Sequence, residues 1–146
     1  MPAKVDSTTS AASRHTFEDH VGEIRLRLEA PTLPGLFEEA ARGLADLIAE
    51  TTAESDDEGE RKVAIRARDA EALLVAWLNE LIFLTETRGR VYADVRVSRA
   101  TDTELEATVH GAALRVLRTA VKAATLHGLA IQKSAEGFTA TIVLDV

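Results

Sequence analysis

The chain has 146 residues, with 17 Lys and Arg against 24 Asp and Glu, which gives a formal charge of −7 at pH 7. Apolar residues make up 46% of it, a composition typical of a globular domain rather than of a disordered chain. The absence of cysteine excludes disulfide frameworks, zinc fingers, iron–sulfur sites and thiol nucleophiles. We expect a cytoplasmic protein, with neither a secretion signal nor a membrane-spanning segment.

The charge balance also bears on nucleic-acid binding. Wide contact with a phosphate backbone needs clustered Lys and Arg, which an acidic chain lacks. Aromatic residues are 4% of the chain, too few for a base-stacking surface. A role in RNA chemistry would therefore act through a protein partner, with RNA contacted only indirectly.

The N-terminal part predicts a tail, a strand and a helix. Residues 1–16 are mostly small and polar, so we predict a flexible tail there and a single domain over residues 17–146. Apolar and charged residues alternate from Gly22 to Glu29, the pattern of a half-buried strand. Thr32 can cap a following amphipathic helix that extends to about residue 51.

Residues 50–60 hold six acidic residues and no basic residue, which predicts a solvated loop. A hard cation can bind carboxylates such as those of Asp56, Asp57 and Glu58, but their spacing matches no EF-hand loop. The solvated loop is therefore the favoured interpretation.

The middle of the chain predicts a strand, a helix and a hairpin. Alternation over residues 62–68 indicates the strand, and a broad apolar stripe between Asp69 and Gly89 indicates the helix. Asp69 can cap that helix, and Gly89 can end it. Alternation over residues 91–98 and again over residues 104–110 predicts an antiparallel hairpin.

The C-terminal part is less clear. The apolar spacing over residues 112–125 favours a helix, although the end of this segment can also run extended into the next strand. Two further strands around the turn at residues 136–137 close the chain. Together the elements predict an α+β fold, a two-layer sandwich with helices on one face of a mixed or antiparallel sheet.

Two carboxylates stand out by their position in the strand patterns. Glu23 and Asp145 are out of phase with the apolar residues of the first and last strands, so they should point away from the helix-covered face. If these strands are neighbours, the two carboxylates can meet, and the α-carboxylate of Val146 adds a third oxygen donor. Clustered oxygens suit Ca²⁺, Mg²⁺ or Mn²⁺. Solvated surface charge is the competing interpretation, and composition alone favours it.

Other residues are weaker candidates for a functional site. His20 can form a local hydrogen bond or support the proposed metal site by contacting one of its ligands. Arg115, Arg118 and Lys122 can contact a phosphate or an acidic partner, or form an ordinary wet helix face. The sequence has no HExxH, Gly-Ser elbow, GxxxxGK[ST] or GxGxxG motif, so peptidase, esterase and nucleotide-binding signatures are absent.

Three segments together resemble a known family. They are DAEALLVAWLNELIFL at residues 69–84, VKAATLHGL at residues 121–129 and IVLDV at residues 142–146. They resemble archease, the small accessory protein of tRNA-splicing RNA ligation. The resemblance covers residues 17–146 and implies the archease fold.

The resemblance also implies a function. Archeases activate a GTP- and Mn²⁺-dependent RNA ligase that joins 2′,3′-cyclic phosphate or 3′-phosphate ends to 5′-hydroxyl ends. They promote guanylylation of the ligase and multiple turnover, and they are not themselves the enzyme. By this resemblance Asp145 matches the metal-binding C-terminal Asp of the family, and Lys122 matches its lysine, to which we assign a cofactor-binding role.

One family motif differs here. Archeases have His-Thr-Ala-Asp where this chain has His-Val-Gly-Glu over residues 20–23. Glu23 keeps the charge of the family Asp, but its extra methylene moves the carboxylate outward and adds a rotamer. The hypothesis from sequence is therefore an RNA ligase activator with a divalent-metal site at Glu23, Asp145 and Val146. A chaperone or protein-binding module without a ligase role is the alternative, and a small metal-dependent hydrolase is a third, disfavoured hypothesis.

Overall fold

The computed structural model describes residues 12–50 and 59–146, which form eight strands and two helices. The strands are β1 (Arg14–His20), β2 (Glu23–Ala30), β3 (Glu60–Arg66), β4 (Arg90–Ala100), β5 (Glu104–Ala113), β6 (Ala123–Thr125), β7 (Gln132–Ser134) and β8 (Gly137–Asp145). The helices are α1 (Leu33–Ile48) and α2 (Ala70–Arg88). Most of the predicted tail and most of the predicted acidic loop, with Asp56, Asp57 and Glu58, lie outside the described residues.

The strands form two antiparallel sheets. One has the order β1-β2-β8-β6, with β7 also pairing with β8, and the other has the order β3-β5-β4. The predicted α+β class is confirmed, and every strand pair within the described ranges is antiparallel. The division into two sheets was not predicted, because alternation reveals the buried face of a strand but not which strands share a sheet.

The predicted boundary between tail and domain falls inside β1. This strand begins at Arg14 and pairs with β2 from Arg14 opposite Glu29 to His20 opposite Glu23. Its side chains are mostly exposed, so they show no clear apolar period. His15 fixes the strand to α1, since its Nδ1 lies 2.5 Å from Glu39 Oε2. The folded chain therefore starts at least three residues earlier than predicted.

The helix predicted over residues 112–125 is wrong. β5 continues to Ala113, an irregular segment follows, and β6 begins at Ala123. The backbone of the irregular segment bonds to the end of α1, with Arg118 N donating to Ile48 O at 2.7 Å. These bonds replace the intrahelical ladder that the apolar spacing suggested. Arg115, Arg118 and Lys122 therefore do not form one helix face.

Both helices are capped as predicted. The Oγ1 of Thr32 accepts from Gly35 N at 3.1 Å, and Oδ1 of Asp69 accepts from Ala72 N at 2.8 Å. α2 ends at Gly89, whose φ of 67° lies in the left-handed region that glycine tolerates best. Neither helix is long and apolar enough to cross a membrane.

One hydrophobic core joins the helices to both sheets. The indole Nε1 of Trp77 in α2 donates to the carbonyl of Phe37 in α1 at 2.9 Å. α1 also lies along the edge of the second sheet, where a carboxylate oxygen of Glu38 accepts from Val97 N of β4 at 2.9 Å. The largest fully buried side chains are Trp77, Phe37, Leu26, Leu28, Leu36, Leu73, Leu74, Leu78, Leu81, Leu105, Ile142 and Leu144. This core fixes β8 between β2 and β6, which positions the candidate site.

Candidate functional site

Glu23 and Asp145 are direct neighbours across the β2–β8 ladder. The amide of Val146 donates to the carbonyl of Gly22 at 3.3 Å, which makes Glu23 and Asp145 a non-hydrogen-bonded pair. In such a pair the two Cα atoms approach to about 4.5 Å, and the side chains lie on one face of the sheet. The structure therefore brings together the two carboxylates that strand parity singled out.

Lys122 lies next to Asp145 on the β6 side, opposite to the side on which Glu23 lies. Its amide donates to the carbonyl of Asp145 at 2.8 Å, just before β6 pairs with β8. The side chains of Lys122 and Asp145 are both exposed, and neither forms an ion pair with another described residue. A cation and an anion are thus adjacent in the backbone but not paired with each other, which leaves both available to a ligand.

The carboxylate of Glu23 is partly neutralised by a neighbour on its own strand. Its Oε2 lies 3.5 Å from Nε of Arg25, and the Glu23 side chain is 30% exposed. At this separation the contact is an ion pair rather than a hydrogen bond, and that buried Nε has no hydrogen-bond partner in the described residues. The charge of Arg25 therefore attracts the Glu23 carboxylate, but the carboxylate oxygens can still accept hydrogen bonds or bind a cation.

His20 takes the first of its two predicted roles, a local hydrogen bond, and does not contact the carboxylates of the site. It is the ladder partner of Glu23 on β1, but its Nε2 is bonded to Glu18 Oε1 at 2.9 Å. This hydrogen bond is the largest influence that holds the pKa of the Glu18 carboxyl below its usual range, with the charges of Arg27 and Arg25 adding to it. His20 therefore serves the exposed ionic network on β1 and β2, not Glu23.

The metal hypothesis fits the geometry only in part. In the described ranges no three His, Cys, Asp or Glu side chains are grouped so as to hold a metal ion. Glu23 and Asp145 supply two carboxylates, and Val146 lies next to them with its amide bonded to Gly22. Ca²⁺ takes six to eight oxygen ligands and Mg²⁺ takes six. The described side chains thus suit one part of an oxygen-ligand site rather than a complete one.

Asn79 is a residue of this site that the sequence reasoning missed. Its Nδ2 donates to the carbonyl of Ala124 at 3.2 Å, and its Oδ1 accepts from the amide of Ala124 at 2.8 Å. α2 thereby holds β6, and with it the backbone of Lys122, against the sheet. The signal in the sequence was an amide beside Glu80 within the mostly apolar run WLNELIFL.

The three segments that carry the family resemblance meet at this place. α2 contributes Asn79, the VKAATLHGL segment contributes Lys122 and Ala124, and the end of β8 contributes Asp145. Hydrogen bonds join α2 to the middle segment through Asn79 and Ala124, and join the middle segment to β8 through Lys122 and Asp145. Over residues 15–146 the chain matches the model of the Archease protein family (MTH1598/TM1083). The chain belongs to the archease family.

Relatives of known name agree with this membership. A protein archease of Methanosarcina barkeri is 30% identical over 146 residues, covering 94% of this chain and 99% of the relative. A protein archease of Thermococcus gammatolerans is 35% identical over 127 residues, covering 82% and 88% respectively. The chain therefore spans nearly the whole length of both relatives.

Solved structures share the archease fold. The solution structure of Methanobacterium thermoautotrophicum protein 1598 matches with a TM-score of 0.73 and 26% identity, over 90% of this chain and 98% of that one. The crystal structure of a Thermotoga maritima protein described as "an archease, possible chaperone" matches with a TM-score of 0.65 over 88% and 94%. At 21% identity the second likeness shows the fold alone.

Proposed function

We propose that this archease activates a GTP- and Mn²⁺-dependent RNA ligase of the tRNA-splicing type. The observation that carries the proposal is the placement of Glu23 directly opposite Asp145, with Lys122 bonded through its backbone to Asp145. Family membership over residues 15–146 supports it, since ligase activation is what the archease resemblance implies. The chain would act in the cytoplasm as an accessory protein and not as the catalyst, and would contact RNA only through the ligase.

The two facing carboxylates give the proposal its chemistry. Like charges directly opposite on a sheet repel each other, and a divalent cation or a basic partner relieves the repulsion. Glu23, Asp145 and the α-carboxylate of Val146 would hold the cation, which is Mn²⁺, Mg²⁺ or Ca²⁺ by the preference of these ions for oxygen. Such an ion would neutralise phosphate charge when GTP reacts with the ligase.

An incomplete ligand set suits an accessory role. Two carboxylates from this chain leave coordination positions for ligands from the ligase or for the phosphates of GTP. The exposed ammonium of Lys122 would meet the same phosphates from the β6 side. The chain's own residues would thus position charge at the edge of a partner's active site, and no step of the reaction takes place on archease itself.

Guanylylation of the ligase tests the proposal. The purified chain is mixed with the ligase of the same organism, Mn²⁺ and radiolabelled GTP, and the rate of label transfer to the ligase is measured. We expect acceleration by the wild-type chain. Asp145→Asn and Lys122→Ala should each reduce that acceleration at least about tenfold, as loss of a charged contact worth about 1.5–3 kcal/mol would.

Glu29→Gln is the matched control. Glu29 lies on the same face of β2 as Glu23 but at the other end of the strand, opposite Arg14 and Thr139. It should leave the acceleration unchanged. No acceleration by the wild-type chain, or equal acceleration by Asp145→Asn and Glu29→Gln, would contradict the proposal.

A chaperone or protein-binding role without a ligase is the second candidate. One observation favours it: Leu117 and Val116 are each more than half exposed, and Leu117 lines a mostly apolar cavity of about 300 Å³ beside α2. Suppression of aggregation of an unrelated unfolding protein, lost in Leu117→Ser, would support this role, whereas a ligase-specific effect alone would exclude it.

A further inference from the structure

A polar cavity lies on the three-stranded sheet, formed by residues that take no part in the site at Glu23 and Asp145. Its volume is about 240 Å³, and it is lined by Gly59, Arg61, Arg88, Arg90 and Tyr92. The starts of β3 and β4 and the last residue of α2 contribute these residues. Three of the five carry a guanidinium group, so the cavity concentrates positive charge on a chain whose net charge is −7.

Two of the three arginines of this cavity are not neutralised by the described carboxylates. Neither Arg61 nor Arg88 forms an ion pair with an acidic residue of the described ranges. Arg90 is held in place, since its Nη1 donates to the carbonyl of Gly111 at 2.9 Å. The negative C-terminal end of the α2 dipole stabilises the charge of Arg88. This accounts for one cation at the helix end, but not for three cations that line one cavity.

Tyr92 adds a buried hydroxyl to the same cavity. The side chain is 3% exposed, and its hydroxyl has no hydrogen-bond partner in the described part of the chain. A buried polar group without a partner costs about 1–3 kcal/mol. A ligand oxygen that accepts from this hydroxyl would recover that cost.

A β-bulge and two glycines shape the cavity. Tyr92 lies where two residues of β4 face one residue of β5, between the pairs Val91–Ala112 and Asp94–His110. Such bulges redirect side chains. A Cβ added to Gly59 would lie 2.4 Å from the carbonyl oxygen of Gly111. A Cβ added to Gly111 would lie 2.7 Å from the ring of Tyr92. The strands can approach this closely only because both positions are glycine.

We propose that Arg61, Arg88, Arg90 and the hydroxyl of Tyr92 bind the phosphate group of free phosphate or of a phosphomonoester. Guanidinium groups present planar pairs of N–H donors that match phosphate oxygens, and they stay charged at every physiological pH. The neutral phenol adds a further donor. Carboxylates accept the same donors, but a cavity lined by several donors favours phosphate, which has more acceptor oxygens than a carboxylate.

Calorimetric titration at low ionic strength tests the site and separates its two ligand sources. Inorganic phosphate is titrated into the full chain, and a nucleoside 5′-monophosphate is titrated in parallel. We expect saturable binding of one ligand per chain in at least one of the two titrations. Tighter binding of the nucleotide would assign the site to phosphomonoesters, and equal or tighter binding of inorganic phosphate would assign it to the free ion.

Variants locate the binding. Arg61→Ala and Arg88→Ala should each weaken it about tenfold, and Tyr92→Phe should weaken it a few-fold without changing the packing of the ring. Arg96→Ala is the matched control, because Arg96 is an exposed arginine of β4 that does not line the cavity. No saturable binding, or equal loss of affinity in Arg96→Ala and Arg61→Ala, would overturn the proposal.

The acidic residues that precede Gly59 in the sequence provide a second check. A chain carrying Asp56→Asn, Asp57→Asn and Glu58→Gln should bind phosphate with the same dependence on Arg61 and Arg88 as the unchanged chain. Binding that occurs only in this neutralised variant would mean that the chain's own carboxylates are the ligands of the arginines, which would also overturn the proposal.

Discussion

Asn79 of α2 is bonded to both main-chain groups of Ala124 in β6, donating to its carbonyl at 3.2 Å and accepting from its amide at 2.8 Å. β6 is only three residues long, and among the strands of residues 12–50 and 59–146 it pairs with β8 alone. The side chain of Asn79 thus serves as the second ladder partner of an edge strand. Because Lys122 immediately precedes β6, this amide also sets the position of the Lys122 backbone beside Asp145.

Replacement of Asn79 by Ala should lower the free energy of unfolding by about 2–3 kcal/mol, since both backbone groups of Ala124 lose a partner. Asn79→Asp keeps the acceptor for the Ala124 amide but sets a charged oxygen against the Ala124 carbonyl, so it should recover little of that loss. Urea unfolding monitored through the fluorescence of Trp77, the only tryptophan, measures both. A loss below about 0.5 kcal/mol in Asn79→Ala, the usual range for surface substitutions, would show that β6 is held by its pairing with β8 instead.

Gly137 and Gly89 both have positive φ angles, of 130° and 67°, but their surroundings differ. A Cβ on Gly137 would lie 2.4 Å from the carbonyl oxygen of Ala30, whereas none of the described atoms lies within 4 Å of a Cβ on Gly89. Gly89→Ala should therefore cost about 1 kcal/mol, from backbone strain alone. Gly137→Ala should cost more than about 3 kcal/mol, because backbone must also move. Thermal unfolding followed by circular dichroism compares the two variants, and equal costs would contradict the steric reason.

Tyr92 is the only tyrosine, so its ionisation can be followed by the ultraviolet absorbance of tyrosinate. Burial raises the pKa of Tyr92 above its ordinary value, and the nearby charges of Arg61, Arg90 and Arg88 oppose this only in part. The native chain therefore holds the phenolic proton to higher pH than the unfolded chain does. The stability from this group is fully present below pH ~10 and is lost as pH rises through the native pKa. A titration midpoint below that of the urea-unfolded chain would contradict this order.

Asp145→Asn should have opposite effects with and without divalent cations. Without them, removing one of two facing charges should stabilise the chain by about 0.2–1 kcal/mol. With millimolar Mn²⁺ or Ca²⁺, the wild-type chain should rise in melting temperature and the variant should not, because ligand bound to the native state stabilises it. Glu29→Gln should respond to the cations as the wild type does. A cation-induced shift that survives Asp145→Asn would place the ion elsewhere.

The juxtaposition of Glu23 and Asp145 was predictable because each strand alternates cleanly, so its charged residues share one face. The first and last strands then needed only to be antiparallel neighbours, and they are. β1 was not predictable, since its stability comes from backbone pairing and from His15 contacting Glu39 rather than from an apolar period. The segment before β6 misled because its helically spaced apolar residues do not share one buried face: Leu117 is more than half exposed, whereas Val121 is buried. Asn79 could be noticed as an amide in an apolar run, but its partner is 45 residues away.

β8 occupies an interior position in its sheet, between β2 and β6. During synthesis β2 emerges more than a hundred residues before β8, so one edge of the β1–β2 hairpin must wait without its partner until β8 has been made. A chain cut before Gly137 would lack the middle of that sheet, with apolar strand surface open to other chains. Synthesis of β8 is thus a condition both for folding and for keeping the nascent protein from aggregating.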